Sequence, residues 1–283
     1  MMSIIICSRS QFISNYLVEN IKSTIGCQYE LIIINNSENQ FSIFQAYNIG
    51  IEKSIGEYLC FMHDDILIHS NDWGKVVHRI FEENPDFGLI GVAGARIKTK
   101  IPNGWWDCEE KYKSVNIIQH FRNGNVEKQC IGFKGTRLNE VVFIDGVFMV
   151  LRKKTNFFFN QDYSGFHNYD FNISFEILKK GFKLGVSNEI LIEHFSTGVL
   201  DKEWLKSTIN MHKRYRRFLP TATTRVDFVK MEIFGGKRFI NHCFRIEGRK
   251  KVYMYFFSIF NLNLFSKSQF SLLKYFTKAI LKI

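Results

Sequence analysis

Three adjacent side chains that can bind a metal ion, His63, Asp64 and Asp65, follow the apolar run 58–62. A short run that is apolar at every position is typical of a strand buried on both faces of a parallel sheet. Ligands of open α/β sheets bind beyond the carboxyl ends of the strands. Adjacent carboxylates repel each other there unless protons or a cation lie between them, and Mg²⁺ and Mn²⁺ take carboxylate oxygens. The triplet taken alone favours a helix cap or a solvated turn, and it becomes a predicted divalent-cation site when it is considered with the rest of the chain.

Two distant residues could serve the same site. His194 follows the predicted strand 190–193; a histidine there is usually structural, but opposite two carboxylates it becomes a candidate third metal ligand. Asp170 precedes the helical pattern of Phe171 and Leu178, at a position where the helix dipole favours an anion. The local pattern does not separate a helix cap at Asp170 from a carboxylate that does chemistry.

The elements that would carry these residues alternate between strand and helix. Apolar runs predict strands at 3–7, 31–34 and 58–62, and apolar residues at helical spacing predict helices between them. Ser42 can cap the second of these helices. The alternation predicts an α/β fold with parallel strands and right-handed crossovers, that is, half of a nucleotide-binding sheet. No G-x-G-x-x-G motif follows the first strand, so a dinucleotide-binding domain is disfavoured.

The middle of the chain continues with strands and a loop-rich segment. Asp72 begins a third predicted helix, and Asn123-Gly124 is a favourable turn within residues 112–140, which are expected to be irregular or hairpin-like and could cover the site. Trp105 and Trp106 lie in a loop, where they either stack on a ring or pack beneath the loop. Further strands are predicted at 87–92, 141–144, 147–151, 182–186 and 190–193.

The composition is that of a globular protein with one large domain or two small ones. The chain has 283 residues, of which 46% are hydrophobic and 29 are Phe. Its six cysteines show no paired metal-binding spacing and are expected to be reduced core thiols. We expect neither a signal peptide nor a stretch that could span a bilayer. These features predict a cytoplasmic protein.

The net charge of +11 is concentrated in the C-terminal third. From Lys202 onward the chain carries 18 Lys/Arg and 4 Asp/Glu, a net charge of +14, whereas the remainder carries −3. Basic residues interleaved with aromatic ones, as in VYMYFFSIF and FSLLKYFTKAILKI, can bind anionic lipid or nucleic acid. Peripheral association with an anionic membrane surface and a solvated helical subdomain are the main interpretations, and nucleic acid is the least favoured. We expect a catalytic domain over 1–219 and a basic, aromatic-rich helical region over 220–283.

Seven stretches, taken together, resemble the GT-A glycosyltransferases, the family-2-like inverting group, and most closely the subgroup named after a streptomycin-biosynthesis protein. They fall in order over about residues 3–200: SIIICSRS, ELIIINNSEN, AYNIGIEKSIGEYLCFMHDDI, LIGVAG, FIDGVFMVLRK, GFHNYDFNISFEILKKG and EHFSTG. The resemblance implies a GT-A, Rossmann-like fold with a mostly parallel sheet flanked by helices, extended here by the basic C-terminal helices. It also implies an enzyme that takes a nucleotide sugar and uses Mn²⁺ or Mg²⁺.

The resemblance assigns roles position by position. Asp65 matches the last carboxylate of the family's Asp-x-Asp motif and His194 matches the histidine that often completes the metal site, whereas His63 stands in place of the first Asp. Asp170 matches the catalytic base of the Glu-Asp motif, and Tyr169 stands where the Glu usually is. The expected metal ligands are therefore Asp65, His194 and His63, and the expected base is Asp170.

Donor and acceptor contacts are expected from polar and aromatic residues near the strand ends. Asn35 or Asn36 resembles the acidic residue that holds the nucleotide base, and an amide at this position leaves the choice between a UDP-linked and a GDP-linked sugar open. The expected donor-binding residues are Ser8, Asn35, Asn36, Asn48, Asp64 and Asp65. The expected acceptor-binding residues are Trp105, Trp106, Asp145 and His167.

The leading hypothesis is a metal-dependent, inverting glycosyltransferase that moves a sugar from a nucleotide sugar to a glycan, lipid-linked or small-molecule acceptor in the assembly of a polysaccharide or secondary metabolite. Breaking the sugar–diphosphate bond needs a cation at the leaving phosphates and a carboxylate base at the acceptor hydroxyl. A sugar nucleotidyltransferase is the nearest alternative enzyme, although Ser8-Arg9-Ser10 is a poor phosphate-binding loop. A catalytically degenerate protein that binds a nucleotide or a membrane is the third hypothesis.

Overall fold

The N-terminal part of the chain alternates strand and helix because apolar runs and helical spacing alternate in its sequence. In the computed structural model, which describes residues 1–249, 251–260 and 265–281, this part forms β1 (Met2–Ser8), α1 (Asn15–Thr24), β2 (Tyr29–Asn35), α2 (Ile43–Lys53) and β3 (Tyr58–Met62). Ser42 caps α2 in a capping box with Gln45. β1 pairs in parallel with both β2 and β3, so the predicted parallel arrangement of these strands is confirmed.

Short strands predominate in the middle of the chain, and helices predominate after it. The middle contains β4 (Ile66–Ile68), α3 (Trp73–Glu83), β5 (Phe87–Gly91), β6 (Ala93–Ala95), β7 (Ile97–Lys98), β8 (Lys113–His120), β9 (Val126–Ile131), β10 (Leu138–Val141), β11 (Phe143–Ile144), β12 (Phe148–Arg152), α4 (Tyr169–Lys179), β13 (Lys183–Ser187) and β14 (Ile192–His194). The C-terminal part contains α5 (Lys202–Arg214), β15 (Thr221–Ala222), α6 (Phe228–Glu247), α7 (Tyr253–Phe260) and α8 (Lys267–Leu281).

Two sheets meet beside the residues predicted to bind metal. The first has the strand order β10-β13-β5-β12-β3-β1-β2, and the second has the order β11-β6-β8-β14-β4, with β9 paired to β8. The chain passes from the first sheet to the second between β3 and β4, so residues 63–65 lie at the junction. β14 pairs with β4 so that His194 lies opposite Ile66. The pairing of the second sheet therefore brings His194 next to the triplet.

Asp145 lies at another crossing between the sheets, because β11 belongs to the second sheet and β12 to the first. The strand predicted over 141–144 is divided here, since the chain changes its partner from β13 to β6. Residues 112–140 contain the antiparallel hairpin of β8 and β9. Asn123-Gly124 lies in its turn, where Gly124 adopts the left-handed φ of 84° that favours glycine. The hairpin and its turn are therefore confirmed.

The first sheet has an apolar layer on each face because its central strands are apolar at most positions and buried along their length. Successive residues of a strand face opposite sides, so Ile4 and Ile6 pack with α1 and α3, whereas Ile5 packs with α2 and α4. Full burial of one such side chain stabilises the fold by roughly 1.5–3 kcal/mol. The two layers hold β1 and β3 in place, and thereby fix the positions of the polar residues at their ends.

The C-terminal helices pack on the loop formed by residues 99–108. A third apolar cluster joins Ile101 of this loop to Trp204 of α5, Phe239 of α6 and Leu272 of α8. The opposite face of α8 is exposed and carries Phe270, Leu273, Lys274, Lys278 and Leu281. In the described part of the chain, no helix has both the length and the apolar character needed to cross a bilayer. The division into domains 1–219 and 220–283 stays a prediction.

Candidate active site

His63, Asp65 and His194 come together at the junction of the two sheets. Asp65 Oδ1 lies 3.7 Å from His63 Nδ1 and 3.5 Å from His194 Nε2. One ligand atom from each residue lies within 4.8 Å of the others. Among the described residues, none forms a hydrogen bond with the buried His194 Nε2. An unpartnered imidazole nitrogen that faces a carboxylate and a second imidazole fits a divalent metal ion.

Gln119 fixes the orientation of the His194 ring. Gln119 Oε1 lies 3.1 Å from His194 Nδ1, so Nδ1 carries the proton and Nε2 is left to face Asp65. Metal-binding histidines usually have such a partner on the other ring nitrogen. Burial alone would raise the pKa of Asp65, but His194, Ser196 and His63 lower that pKa overall and keep the carboxylate ionised. Burial and the neighbouring His194 lower the pKa of His63 and so favour its neutral, metal-binding form.

Tyr169 holds the second imidazole. Its hydroxyl oxygen lies 2.7 Å from His63 Nε2, which leaves His63 Nδ1 facing Asp65. Gly146 makes room for this hydroxyl, because a Cβ at that position would lie 2.3 Å from it. Tyr169 is not among the site residues expected from the sequence. The signal that could have found it is its position beside Asp170, where the resembled family has a Glu.

Asp170 lies in the first turn of α4 and lines a cavity of about 670 Å³. Its Oδ1 accepts a hydrogen bond from the backbone N–H of Phe171 at 2.8 Å, and the N-cap position of α4 is occupied by Asn168. Burial and the negative charge of Asp145 raise the pKa of Asp170 to about 7, while Lys98 acts in the opposite direction. A carboxylate with this pKa can accept and release a proton at neutral pH, as a general base must.

Aromatic rings line the same cavity. Trp105 Nε1 donates a hydrogen bond to Asp145 Oδ2 at 2.7 Å. Trp106 stacks on Trp204, with 6.1 Å between the ring centroids and 24° between the ring planes. All three rings also line the cavity, as does Phe166. Trp105 and Trp106 therefore each contact the protein and also face the cavity. Packing beneath the loop and stacking on a ligand ring are thus compatible for these two residues.

Lys98 and His167 are two more charged or titratable residues in the cavity wall. Lys98 Nζ donates hydrogen bonds to the backbone oxygen and to Oδ1 of Asn103 at 2.6 and 2.8 Å, and burial lowers the pKa of Lys98 to about 7. His167 Nε2 lies 3.2 Å from Asp201 Oδ1. Sequence reasoning missed Lys98 because a single lysine in a two-residue strand carries no pattern.

Three of the expected donor-binding residues lie at neighbouring strand ends. Ser8 and Asn35 are register partners at the ends of β1 and β2. Ser8 Oγ donates a hydrogen bond to Asp64 Oδ2 at 2.7 Å, next to the end of β3. The fold thus brings Ser8, Asn35 and Asp64 together beside Asp65.

Asn36 and Asn48, which were also expected to contact the donor, are both buried. The Asn36 amide binds the backbone N–H and oxygen of Phe41, each at 2.9 Å. The Asn48 amide binds the backbone N–H and oxygen of Phe159, each at 2.8 Å. Their positions do not support the expected contacts with the donor; they hold loops of the surrounding fold.

Comparison with known proteins identifies a family and several similar structures. Residues 3–217 match a family described as "Glycosyltransferase like family", whereas no curated protein sequence matches the chain. The S. aureus TarS 1–349 structure has a TM-score of 0.51 and 10% identity over 99% of this chain and 80% of that one. Its complex with UDP-GlcNAc has a TM-score of 0.50 and 10% identity over 99% of this chain and 81% of that one.

A structure of GalNAc-T7 with UDP, GalNAc and Mn²⁺ has a TM-score of 0.46 and 11% identity over 68% of this chain. The present chain spans only 42% of that protein's chain.

The TarS structures, at 10% identity, are evidence for the fold alone. The family match covers well over half of the chain and favours a glycosyltransferase over a sugar nucleotidyltransferase. The finer subgroup, named after a streptomycin-biosynthesis protein, stays a prediction. The chain therefore belongs to the glycosyltransferase-like family and is a glycosyltransferase of the GT-A fold.

Proposed function

We propose that this glycosyltransferase is metal-dependent and inverting, and that it transfers a sugar from a nucleotide sugar to an acceptor hydroxyl. The observation that carries the proposal is that Asp170 lines one cavity together with His63 and His194, the two histidines that face Asp65. Asp65 belongs to this group through its contacts with both histidines. A base and a cation site in one cavity are what a direct displacement at a sugar carbon requires.

His63, Asp65 and His194 would hold the divalent cation, Mn²⁺ or Mg²⁺. When bound, the cation would neutralise the negative charge that develops on the leaving diphosphate. The chain contributes an ionised carboxylate at Asp65 and a His63 imidazole whose lowered pKa favours the neutral form, and these are protonation states that bind a metal.

Asp170 would accept the proton of the attacking hydroxyl. The acceptor oxygen forms a bond to the anomeric carbon while the bond from that carbon to the phosphate oxygen breaks, and the proton moves to the Asp170 carboxylate. A positioned base of this kind accelerates the reaction by roughly 10²–10⁴-fold. Because the displacement takes place in one step, the configuration at the anomeric carbon is inverted.

The polar strand ends of Ser8, Asn35 and Asp64 would bind the nucleotide. A UDP-sugar is the first donor to test, since the TarS structure of the same fold contains UDP-GlcNAc, and GDP-sugars follow. The aromatic wall formed by Trp105 and Trp106 suits the apolar face of a sugar ring, so a glycan or lipid-linked saccharide is the acceptor class that we favour.

A panel of UDP- and GDP-sugars, each with Mn²⁺ or Mg²⁺, tests the proposal. Release of the nucleoside diphosphate is measured first without an acceptor, because glycosyltransferases commonly hydrolyse the donor slowly by transferring its sugar to water. It is then measured with saccharide acceptors, and the anomeric configuration of the product is determined by NMR. We expect metal-dependent release with one class of donor and inversion in the product. Retention of configuration, or full activity in a chelator, would contradict the proposal.

Calorimetry of Asp65→Asn gives an independent measure of the metal site. The substitution removes the charge that both histidines face, so binding of the nucleoside diphosphate in the presence of Mn²⁺ should weaken by at least about tenfold. The matched control is Asp162→Asn, at an exposed loop position. Unchanged affinity in Asp65→Asn would remove this residue from the metal site.

A further inference from the structure

Two of the positions at which the chain differs from the motifs of the family that it resembles, His63 and Tyr169, are in contact with each other. His63 stands in place of a carboxylate of the Asp-x-Asp motif, and Tyr169 stands in place of the Glu beside the base. Although they are 106 residues apart in the sequence, the Tyr169 hydroxyl lies 2.7 Å from His63 Nε2. The two replacements therefore form one structural unit.

This unit determines which nitrogen of His63 faces the metal site. With Nε2 bonded to Tyr169, His63 Nδ1 is the nitrogen directed at Asp65 Oδ1, at 3.7 Å. On the other side of the carboxylate, Gln119 binds His194 Nδ1 and leaves His194 Nε2 facing Asp65. Each imidazole is thus held by a partner on its far nitrogen, and the near nitrogens converge on one carboxylate.

The surrounding fold accommodates the tyrosine specifically. The hydroxyl of Tyr169 occupies the space that a Cβ of residue 146 would need, and Gly146 leaves that space open. The ring packs edge-on against Tyr47, with 5.6 Å between centroids. Tyr169 is therefore buried and held on two sides, so its hydroxyl has a defined position next to His63.

We propose that the His63–Tyr169 pair makes this site selective for a divalent transition-metal ion over Mg²⁺, with Tyr169 as the positioning residue. The inference rests on the metal site of the proposed function. Imidazole nitrogen suits transition-metal ions, and two histidines with one carboxylate form a common set of ligands for them. Mg²⁺ instead demands oxygen ligands in a nearly octahedral arrangement. Replacing a carboxylate by His63 exchanges an oxygen ligand for a nitrogen ligand and lowers the negative charge of the site.

Competition between Mn²⁺ and Mg²⁺ for the full-length protein tests the selectivity. The signal of free Mn²⁺ in electron paramagnetic resonance reports bound Mn²⁺ as Mg²⁺ is added, and visible absorption of added Co²⁺ reports nitrogen ligation directly. For the wild type, we expect Mg²⁺ to displace half of the Mn²⁺ only at about a hundredfold excess or more. His63→Asp should lower this excess by at least about tenfold, because the site regains an oxygen ligand.

Tyr169→Phe tests the positioning role without changing a metal ligand. Loss of the partner of a ligating histidine typically weakens metal affinity by about 10–100-fold, and we expect a loss in that range for Mn²⁺. Tyr47→Phe is the matched control, because it removes a phenolic oxygen from the neighbouring ring and leaves the Tyr169–His63 hydrogen bond intact. Circular dichroism and melting temperature check the folding of each variant.

The outcomes separate this inference from the proposed function. Displacement of Mn²⁺ by an equal concentration of Mg²⁺ in the wild type overturns the selectivity and leaves the metal site standing. Wild-type Mn²⁺ affinity in a folded Tyr169→Phe variant overturns the positioning role. If the folded wild type binds neither ion, with or without UDP, the proposed metal site is contradicted, and the proposed selectivity is contradicted together with it.

Discussion

Asp170 accepts a backbone hydrogen bond from Phe171 and at the same time lines the cavity, so one substitution can separate its structural and chemical contributions. Asp170→Asn retains an acceptor oxygen for the N–H of Phe171. We therefore expect this variant to fold and to bind the donor normally, and to transfer sugar at least about a hundredfold more slowly. Single-turnover transfer at saturating donor measures the loss.

The control for this experiment is again Asp162→Asn, at an exposed position in the same segment of the chain. Its rate should stay within a few-fold of the wild type. If Asp170→Asn also transfers sugar at nearly the wild-type rate, the base is another residue, and Asp145 is the next candidate because its carboxylate shares the cavity.

The raised pKa of Asp170 predicts the pH dependence of transfer. Burial and the charge of Asp145 raise this pKa to about 7, so the carboxyl group is protonated below that pH and cannot accept a proton. The transfer rate should therefore fall about tenfold per unit of pH below about 7 and reach a plateau above it. The residual rate of Asp170→Asn should lack this inflection, and a wild-type profile that is flat between pH 5 and 8 would contradict the assignment.

The same raised pKa predicts a stability gain in Asp170→Asn. Because the pKa in the folded protein lies above the ordinary value of 3.8, the folded state binds a proton more tightly than the unfolded chain. The contribution of this group to stability is therefore present at low pH and is lost as the pH rises through about 7. Asp170→Asn should melt at a higher temperature than the wild type at pH 8 and show little difference near pH 4. An equal or lower melting temperature at pH 8 would argue against the desolvated carboxylate.

Helix α6 supports the loop of residues 99–108, which carries Trp105 and Trp106 and is called the tryptophan loop below. A Cβ on Gly235 would lie 2.3 Å from Asn103 Nδ2, and Asn103 in turn accepts the hydrogen bonds of Lys98 Nζ. Gly235→Ala should therefore displace the loop and raise the KM for the acceptor several-fold, with little change in donor binding. Val229→Ala is the control, because Val229 is an exposed residue in the first turn of the same helix. Equal acceptor KM values in both variants would show that α6 does not position the loop.

Sequence patterns predicted the elements better than the contacts between them. The run 58–62 predicted β3 because a strand buried on both faces must be apolar throughout, and the polar triplet after it marked the sheet junction. The partners of His63 and His194 were not predictable, because Tyr169 and Gln119 lie 106 and 75 residues away from them. Such pairs depend on how the two sheets pack, which periodicity within one strand does not report.

The burial of Asn36 and Asn48 is a second example of a contact that the sequence could not predict. Asn36 directly follows β2 and Asn48 lies in α2, within the strand–helix part of the chain that was expected to bind the nucleotide. An amide side chain at either position would suit a contact with a nucleotide. Their amides instead satisfy backbone groups of Phe41 and Phe159. A buried backbone group needs a partner, and an asparagine nearby in the fold can supply both a donor and an acceptor. Residue type alone does not separate this use from ligand binding.

The basic C-terminal third is expected to hold the enzyme at an anionic membrane surface. The exposed face of α8 combines apolar residues with lysines, whereas its buried face packs in the third apolar cluster. Each basic residue near such a surface contributes roughly 1 kcal/mol. A triple charge reversal should therefore abolish co-sedimentation with anionic vesicles at low salt; it consists of Lys267→Glu, Lys274→Glu and Lys278→Glu.

Charge reversal is a cleaner test than deletion of the C-terminal region. Removal of residues after Pro220 would also take away α6, and with it the support of the tryptophan loop. The matched control reverses three exposed lysines of the body: Lys22, Lys53 and Lys128. Equal co-sedimentation of both triple variants and the wild type, or sedimentation that persists in high salt, would contradict the membrane prediction.

The positions of the four tryptophans have a consequence for the fluorescence of the protein. The chain has four tryptophans, and three of them, Trp105, Trp106 and Trp204, line the cavity. The fourth, Trp73, is buried in the core against Phe148, away from solvent. A saccharide that enters the cavity would change the polarity around three indoles and leave the fourth as a constant background. The intrinsic fluorescence of the protein is therefore a built-in reporter of acceptor occupancy, and it permits screening of acceptors without a label and without turnover.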